Sequence, residues 1–263
     1  MNFSLLTYNT LFNSGVADLK KIVSRYLPDF ICLQEFLIDE NNIKNIEKLG
    51  YKMAEYNNSF IKLNGIYGVI TFYNKNRFQL LENGFFDLSK NISEYFYNIF
   101  KFLLDNKYQP RTVLKTDFLL KKTQKKISLI NLHLFVVGTN EARLSSLKKI
   151  LNQLDFKKHQ SMIICGDFNY YPYRRRKLEV LMKKFGFSEA TKKISQTINP
   201  LKNKTIINQY LPIQKFLLPL FKKFFAKSLK IDYIFYRNLK NIKTIKIENH
   251  YSDHYPILSY FKI

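Results

Sequence analysis

The residues of this chain that could do chemistry lie at the ends of apolar, strand-like runs. Carboxylate and amide oxygens are the ligands that hard divalent cations prefer, and an imidazole can take up a proton near neutral pH. Because loops at the rim of a sheet commonly carry functional groups, side chains placed in this way could converge on one cleft. They are Asn9, Glu35, His133, Asp167, Asn169, Asp232, Asp253 and His254.

Each of these residues, taken singly, has a structural interpretation. Asn9 fits a turn after a strand, the Asp167–Asn169 pair fits an Asx-type turn, and a lone His133 is more often structural than catalytic. For any one position the structural interpretation is the better one. For the whole set in this order it is not, and the sequence favours a shared site.

The cysteines and histidines do not have the spacing of a zinc site. The chain contains no CxxC pair and no HExxH run. Cys32 and Cys165 each lie in an apolar run, ICLQ and IICG, and are predicted to be buried as small hydrophobes. A hard, oxygen-bound cation is therefore favoured over zinc, and no disulfide framework is predicted.

The elements that position these groups follow from the apolar periodicity. Two strand pairs are predicted, one joining 65–73 to 78–86 and one joining 112–120 to 126–135. No repeat or linker divides the chain, so the sequence predicts one domain, 1–263. Helices are predicted over 16–27, 39–49 and 139–154, and further strands over 2–9, 30–33, 161–165, 231–236, 242–247 and 256–261.

The charge of the chain is large and uneven. The formal net charge is +23, and all of it falls between residues 101 and 250. One interpretation is a polyanionic partner, which would be DNA, RNA or an anionic membrane surface. The other is compositional, because the chain is rich in Lys, Asn and Ile and has no Trp. The sequence gives the two equal weight.

Two segments combine aromatic residues, leucines and lysines, namely 94–104 and 210–229. They are interpreted as helices that cover the core or, alternatively, as interfacial helices that contact an anionic membrane. No apolar run reaches the roughly 20 residues needed to span a bilayer, and the start of the chain lacks the features of a cleaved signal. The sequence thus predicts a cytoplasmic protein, and no obligate protein partner is inferred.

The order of these motifs resembles the endonuclease/exonuclease/phosphatase superfamily, including its deoxyribonuclease I, exonuclease III-type and neutral sphingomyelinase branches. The resemblance runs from Thr7 to Ile257 and rests on TYNT, LQE, NLHL, GDFN, IDYIF and SDHYP. It implies an α+β (mixed α/β) fold in which two mixed sheets pack face to face between outer helices, a four-layer α-β-β-α sandwich. It also implies a metal site at one rim of the sheets.

The resemblance implies which residues bind the metal and the phosphate. Glu35 is the candidate ligand for Mg²⁺, together with Asp253 and Asn9, and Mn²⁺ is the expected substitute. Asn9 and Asn169 are candidates for binding phosphate oxygens. Arg111, in QPRTVL, stands where some relatives carry an active-site arginine.

The same resemblance assigns the proton-transfer groups. His254 is the candidate general base, and Asp232 would orient it. Asp167 would position the attacking water or protonate the leaving group, and the sequence leaves open whether His254 or Asp167 activates the water. His133 would stabilise charge on the phosphoryl oxygens.

The predicted function is divalent-metal-dependent hydrolysis of phosphodiester bonds, with nucleic acid as the first substrate. Support comes from three tyrosines in 170–173 and the basic run 174–177, which directly follow GDFN. The alternative is a phospholipid or sphingolipid phosphodiesterase or phosphatase at a membrane surface. A non-catalytic binding protein on the same fold is disfavoured, since every expected polar position is filled.

Overall fold

The computed structural model describes residues 1–62, 65–86, 112–136, 138–156, 160–202, 204–208 and 229–263. Within these residues the chain forms twelve strands and five helices. The strands are β1 (Asn2–Asn9), β2 (Phe30–Leu37), β3 (Tyr51–Lys62), β4 (Gly65–Asn74), β5 (Phe78–Phe85), β6 (Thr112–Leu120), β7 (Lys125–His133), β8 (Ser161–Asp167), β9 (Ser188–Glu189), β10 (Asp232–Arg237), β11 (Lys240–Lys246) and β12 (Ile257–Lys262). The helices are α1 (Val16–Tyr26), α2 (Glu40–Glu47), α3 (Asn140–Gln153), α4 (Arg175–Lys184) and α5 (Lys204–Asn208).

The described strands form two six-stranded sheets. The first has the order β11-β12-β1-β2-β4-β3, and the second has the order β5-β6-β7-β8-β10-β9. Each sheet contains one parallel pair, β1 with β2 and β7 with β8, among antiparallel neighbours. Both sheets are therefore mixed, as predicted.

The two sheets pack face to face, and the helices cover their outer faces. Residues from both sheets, including Phe30 of β2 and Cys165 of β8, share one core cluster between the sheets. On the first sheet, α1 buries Leu19, Ile22 and Val23, and each such side chain contributes about 1.5–3 kcal/mol. On the second sheet, α3 and α4 pack over a separate apolar cluster. This arrangement confirms the four-layer sandwich.

Local sequence signals explain where two of the three predicted helices begin. Asp39 accepts a hydrogen bond from the backbone N–H of Asn42 at the start of α2, and Thr139 accepts one from Ala142 at the start of α3. Each bond satisfies a backbone donor that the first helical turn leaves without a partner. The short polar side chains before these helices thus fix their first turns.

One predicted strand pairing is wrong. Strand β4 pairs with β2 and β3 in the first sheet, whereas β5 pairs with β6 in the second. The connection from Asn74 to Phe78 crosses between the sheets. The true partner, β3, was not predicted because its sequence, YKMAEYNNSFIK, has adjacent asparagines and few regularly spaced apolar residues.

Some predictions fall outside the described residues. These are the segments 94–104 and 210–229 and the side chain of Arg111. Among the residues that are described, no helix has the length and apolar character needed to cross a bilayer.

Candidate active site

Strand direction brings the predicted polar residues to one rim of the sandwich. In the first sheet, the parallel strands β1 and β2 end near Asn9 and Glu35. In the second sheet, His133 and Asp167 are register partners at the ends of the parallel strands β7 and β8. Strand β10 runs antiparallel to β8, so its first residue, Asp232, lies opposite Asp167.

The turn 252–254 reaches the same rim because it precedes β12, which is antiparallel to β1. The hydroxyl of Ser252 donates to the carbonyl of Asn9 at 2.8 Å and accepts from the backbone N–H of His254 at 3.1 Å. His254 also forms an isolated bridge with Ile198. The rim therefore combines residues from both sheets and from the loop before β10.

Several site residues have unusual backbone angles. Glu35 has a φ of 51° and lies where the β2–β4 register shifts, and Asn169 has a φ of 48°. Leu11 and Phe12, in the loop after β1, are also left-handed. Such conformations are costly for residues other than glycine and cluster at functional sites. The bulge turns the Glu35 carboxylate towards the rim.

Gly166 allows the two parallel strands of the second sheet to approach each other at the site. Its φ is 130°, and a Cβ atom there would lie 2.0 Å from the carbonyl oxygen of Leu132. No side chain fits at that distance, so the glycine of GDFN is required by packing. Its neighbour Asp167 is thereby held next to His133.

Asp232 and His254 form a buried pair. The Nδ1 atom of His254 lies 2.9 Å and 3.1 Å from the two carboxylate oxygens of Asp232. Thr197 fixes Asp232 in turn, because its hydroxyl accepts from the Asp232 backbone N–H at 3.1 Å. Burial acts to lower the pKa of His254, but Asp232 and Asp253 outweigh it and raise that pKa well above its ordinary value.

Asp167 lies at the centre of the site. One carboxylate oxygen accepts from the side-chain amide of Asn9 at 3.0 Å, and the other accepts from the backbone N–H of Asn169 at 2.8 Å. The Nε2 atoms of His133 and His254 lie 3.6 Å and 3.8 Å from Asp167 Oδ2. Burial raises the pKa of Asp167 to about 7 despite the nearby His254.

Glu35 and His133 face each other across the rim. Glu35 Oε1 lies 3.7 Å from His133 Nε2, while Oε2 accepts from the backbone N–H of Phe12 at 3.3 Å. Burial raises the pKa of Glu35 to about 7 and lowers the pKa of His133 to about 3. Neither ring nitrogen of His133 has a hydrogen-bond partner among the described residues. A buried polar group of this kind is typical of a site that binds an ion or a substrate.

The donor set of the site fits a divalent cation. Closely spaced buried carboxylates repel each other, and burial keeps the pKa of two of them near 7, so a cation would relieve both costs. Among the described residues, the ligating atoms of Asp167, Asp232 and His254 all lie within 4.8 Å of one another. The buried carboxylates at the rim are Glu35, Asp167, Asp232 and Asp253.

That compact group differs from the predicted ligands Glu35, Asp253 and Asn9. Asp232 and His254 already satisfy each other through a short hydrogen bond. All three predicted ligands are buried, and the amide oxygen of Asn9 also accepts from the backbone N–H of Leu11 at 3.0 Å. The assignment of ligands stays a prediction.

Cation binding is expected to strengthen as pH rises. A carboxylate must be deprotonated to bind a metal, and the pKa of Glu35, the first predicted ligand, is about 7. The apparent affinity for Mg²⁺ should therefore rise up to about tenfold per pH unit below pH 7, with release of protons. Calorimetry in two buffers of different ionisation enthalpy measures both quantities. An affinity independent of pH, with no proton release, would contradict this electrostatic picture.

A polar bridge between the sheets lies directly beneath the site. The side-chain amide of Gln34 donates to Asn131 Oδ1 at 2.7 Å, and the Asn131 amide donates to the carbonyls of Leu33 and Ile70 at 3.2 and 3.0 Å. Gln34 belongs to the motif LQE and Asn131 to NLHL, but neither was predicted as a site residue. Their signal was a fully polar side chain inside an apolar strand.

Asn249 is a further residue near the site that was not predicted from the sequence. Its side-chain amide donates to the carbonyls of Ser252 and His254 at 3.1 and 2.8 Å and to the hydroxyl of Tyr8 at 2.9 Å. Its oxygen accepts from the ammonium group of Lys202. These bonds hold the turn that carries His254 against β1, which makes Asn249 a positioning residue.

Replacing Asn249 by alanine is expected to lower kcat about 10- to 100-fold with little change in KM, because the turn loses its anchor while the substrate contacts remain. The free energy of unfolding should also fall by about 1–3 kcal/mol, since several buried groups lose their hydrogen-bond partner. The control is Asn241→Ala, which removes hydrogen bonds of the same type on the edge strand β11. Equal losses of kcat in the two variants would show that Asn249 acts only on stability.

The tyrosines and basic residues after Asn169 are divided between structural and exposed positions. Tyr170 is buried, and Arg174 forms an ion pair with Glu141. Tyr173 is 47% exposed. Among the described residues, Arg175 pairs with Glu179 and Glu189, whereas Arg176 is exposed.

An arginine of the helix after His133 has a structural role. Arg143 is fully buried, and its guanidinium donates to the carbonyls of Phe135, Val136 and Gly138 at 3.2, 2.6 and 2.9 Å. It therefore fixes the loop between β7 and α3. Asn169 donates to the carbonyl of Leu134 in the same loop at 2.9 Å.

Comparison with known proteins gives one family and a group of similar structures. The family model "Endonuclease/Exonuclease/phosphatase family" matches residues 6–254. A search of curated proteins found no match.

Similar solved structures include the human Nocturnin catalytic domain with bound sulfate, at 17% identity and a TM-score of 0.69, covering 99% of this chain and 94% of that one. D. rerio TDP2 complexed with single-strand DNA product has 15% identity and a TM-score of 0.68, covering 100% and 99%. A mannosyl-6-phosphatase of Bacteroides thetaiotaomicron has 17% identity and a TM-score of 0.67, covering 99% and 100%. At these identities the likeness shows a common fold.

Proposed function

Because the chain belongs to the endonuclease/exonuclease/phosphatase family of hydrolytic phosphoesterases, we propose that it cleaves phosphodiester bonds of nucleic acid in a reaction that depends on Mg²⁺. The buried carboxylates, the Asp232–His254 pair and the two asparagines at one rim support the hydrolytic part of this proposal. The exposed aromatic and basic residues beside that rim support the choice of substrate.

Glu35, with Asp253 and Asn9, would hold the cation. When bound, Mg²⁺ supplies positive charge to the phosphoryl oxygens and to the leaving oxygen. Mn²⁺ has the same preference for oxygen ligands and should substitute. The buried, neutral imidazole of His133, 3.7 Å from Glu35, is placed to donate a hydrogen bond to a phosphoryl oxygen.

His254 would act as the general base. Its Nδ1 atom is bonded to Asp232, so Nε2 is the atom that faces the site and takes the proton from water. A base must be neutral, yet Asp232 and Asp253 raise the pKa of His254 well above its usual value. A cation bound to Asp253 would neutralise that carboxylate and bring the pKa of His254 back towards neutral pH.

Asp167 would orient the water or protonate the leaving oxygen. Its pKa of about 7 allows either protonation state at neutral pH. Asn9 and Asn169 each bond to its carboxylate and hold it in place. One amide hydrogen of Asn169 is used by Leu134, which leaves the second for a phosphate oxygen.

One observation carries the choice of nucleic acid. The exposed side chains of Tyr173, Arg176 and Lys177 follow Asn169 within eight residues and lie on the loop and first turn beside the rim. Exposed arginine and lysine bind backbone phosphates, and an exposed aromatic ring can stack on a base. A strand whose scissile phosphate lies at Asn169 would pass over these groups.

The test compares three substrates at low and higher salt. We expect kcat/KM for a single-stranded oligonucleotide to exceed that for bis(p-nitrophenyl) phosphate and to fall steeply with salt, with a slope of about −0.7 per neutralised phosphate. The small diester has no flanking phosphates, so its hydrolysis should change little. A preference for p-nitrophenyl phosphate, a monoester, would overturn the nuclease proposal in favour of a phosphatase.

A further inference from the structure

A surface groove lies between the outer helices α3 and α4. It has a volume of about 450 Å³, and its floor is formed by Val180, Leu181 and Phe185. Val180 is 60% exposed, so its side chain is accessible to a ligand. The side chains around this floor are Lys148, Arg176, Lys177 and Lys184.

Every charged residue that lines the groove is cationic. Among its lining residues, only Lys177 forms an ion pair with a described residue, at 3.3 Å from Glu141. Arg176 and Lys177 lie in the first turn of α4, which contains no acidic residue and no side-chain cap. Cations at that end oppose the helix dipole. The helix dipole therefore does not account for cations at this position. An anionic ligand is the better explanation for their presence there.

The two helices that form the groove follow candidate active-site residues closely in the chain. Helix α3 starts seven residues after His133, and α4 starts six residues after Asn169. The first turns of both helices lie together, because Glu141 pairs with Lys177. From there Arg176 and Lys184 are separated along α4 by about 12 Å, given a rise of 1.5 Å per residue.

We propose that this groove, defined by Lys148, Arg176, Lys177, Val180, Leu181, Lys184 and Phe185, binds a nucleic-acid strand that continues from the active site. The proposal rests on the proposed function and extends it to nucleotides that flank the scissile bond. The cations would bind successive phosphates, and the apolar floor would contact sugars and base faces. A bilayer surface is flat on the scale of this groove, so it would contact the apolar floor less closely than a nucleic-acid strand would.

The test removes the three groove cations that form no ion pair with a described residue. The groove variant carries Lys148→Ser, Arg176→Ser and Lys184→Ser. The matched control carries Lys240→Ser, Lys243→Ser and Lys262→Ser, which remove the same charge from the exposed edge of the first sheet. Fluorescence anisotropy measures binding of a labelled single-stranded oligonucleotide of about 20 nucleotides in EDTA, as a function of salt.

The groove variant should bind the oligonucleotide at least tenfold more weakly at about 0.1 M salt, and its salt slope should fall by about 2, or about 0.7 for each of three lost phosphate contacts. The control should lose less than threefold. Far-UV circular dichroism and the melting temperature should show that both variants fold like the wild type.

Equal oligonucleotide binding by the two variants would overturn the proposal. Unchanged oligonucleotide binding with loss of binding to phosphatidylserine vesicles would overturn it in favour of a membrane surface. The binding assay needs no catalysis, so it decides the role of the groove even where the wild-type protein hydrolyses no phosphodiester and the proposed function itself fails.

Discussion

Replacing His254 by alanine is expected to lower kcat for phosphodiester hydrolysis by about 10²–10⁴-fold, the usual contribution of a positioned general base. The imidazole is bonded to Asp232 through Nδ1 at 2.9 Å, and its Nε2 atom lies 3.8 Å from Asp167 Oδ2. Alanine removes both the ring that Asp232 orients and the nitrogen that would take the proton. Single-turnover kinetics with a labelled oligonucleotide measure the chemical step directly. The dissociation constant of Mg²⁺ should change far less than kcat, because His254 is not among the predicted ligands.

Asp232→Asn separates orientation from proton transfer. Asparagine keeps the shape of the side chain but cannot stabilise the imidazolium that forms during the reaction, so kcat should again fall by about 10²-fold or more. Circular dichroism and the melting temperature serve as the control for folding in both variants. A His254→Ala variant that folds and retains near-wild-type kcat would exclude His254 as the base and leave Asp167 as the candidate.

Glu35→Gln is expected to weaken Mg²⁺ binding by about 100-fold or more and to lower kcat at subsaturating metal correspondingly. The substitution removes the negative charge and keeps the size of a buried ligand. Calorimetry gives the affinity, and activity as a function of Mg²⁺ concentration gives the functional loss. Exposed Glu82→Gln is the matched control, since it makes the same chemical change at the surface.

The same variant should have opposite effects on stability with and without metal. Burial raises the pKa of Glu35 to about 7. Its favourable contribution to the free energy of unfolding is therefore complete below the pKa of the unfolded state and is lost as pH rises through 7. At about pH 8 without metal, Glu35→Gln should therefore melt at a higher temperature than wild type. With saturating Mg²⁺ the wild type should melt higher, because the cation stabilises only the folded state to which it binds. A variant that is less stable under both conditions would contradict this account of the charge.

The parts of the site that the sequence predicted are those fixed by strand ends. Asn9, His133 and Asp167 each follow an apolar run, and parallel pairing takes such ends to the same rim. The order of the motifs, together with the family resemblance, supplied the rest of the set. The four-layer fold was predicted from that resemblance and is confirmed.

The parts that were missed depend on contacts between residues far apart in the sequence. Asn249 donates a hydrogen bond to Tyr8, which is 241 residues away in the sequence, and Gln34 donates one to Asn131, which is 97 residues away. No local periodicity encodes such a pair. Strand β3 was missed because its partner β4, and not its own pattern, specifies it.

The groove between α3 and α4 shows a third limit of prediction from the sequence. The basic run 174–177 was visible in the sequence, but its residues have different roles in the structure. Arg174 is neutralised by Glu141, whereas Arg176 joins Lys148 and Lys184 around an apolar floor. A charge count does not distinguish a paired arginine from one that is available to a ligand.

Nicking of supercoiled plasmid in the presence of Mg²⁺ tests the central claim most directly. Wild-type protein, an EDTA control and His254→Ala are incubated in parallel, and the supercoiled, nicked and linear forms are separated on a gel. We predict nicking by the wild type with Mg²⁺ and no nicking with EDTA or with the variant. Folded wild-type protein that binds Mg²⁺ and leaves the plasmid supercoiled would contradict the claim that nucleic acid is cleaved at this site.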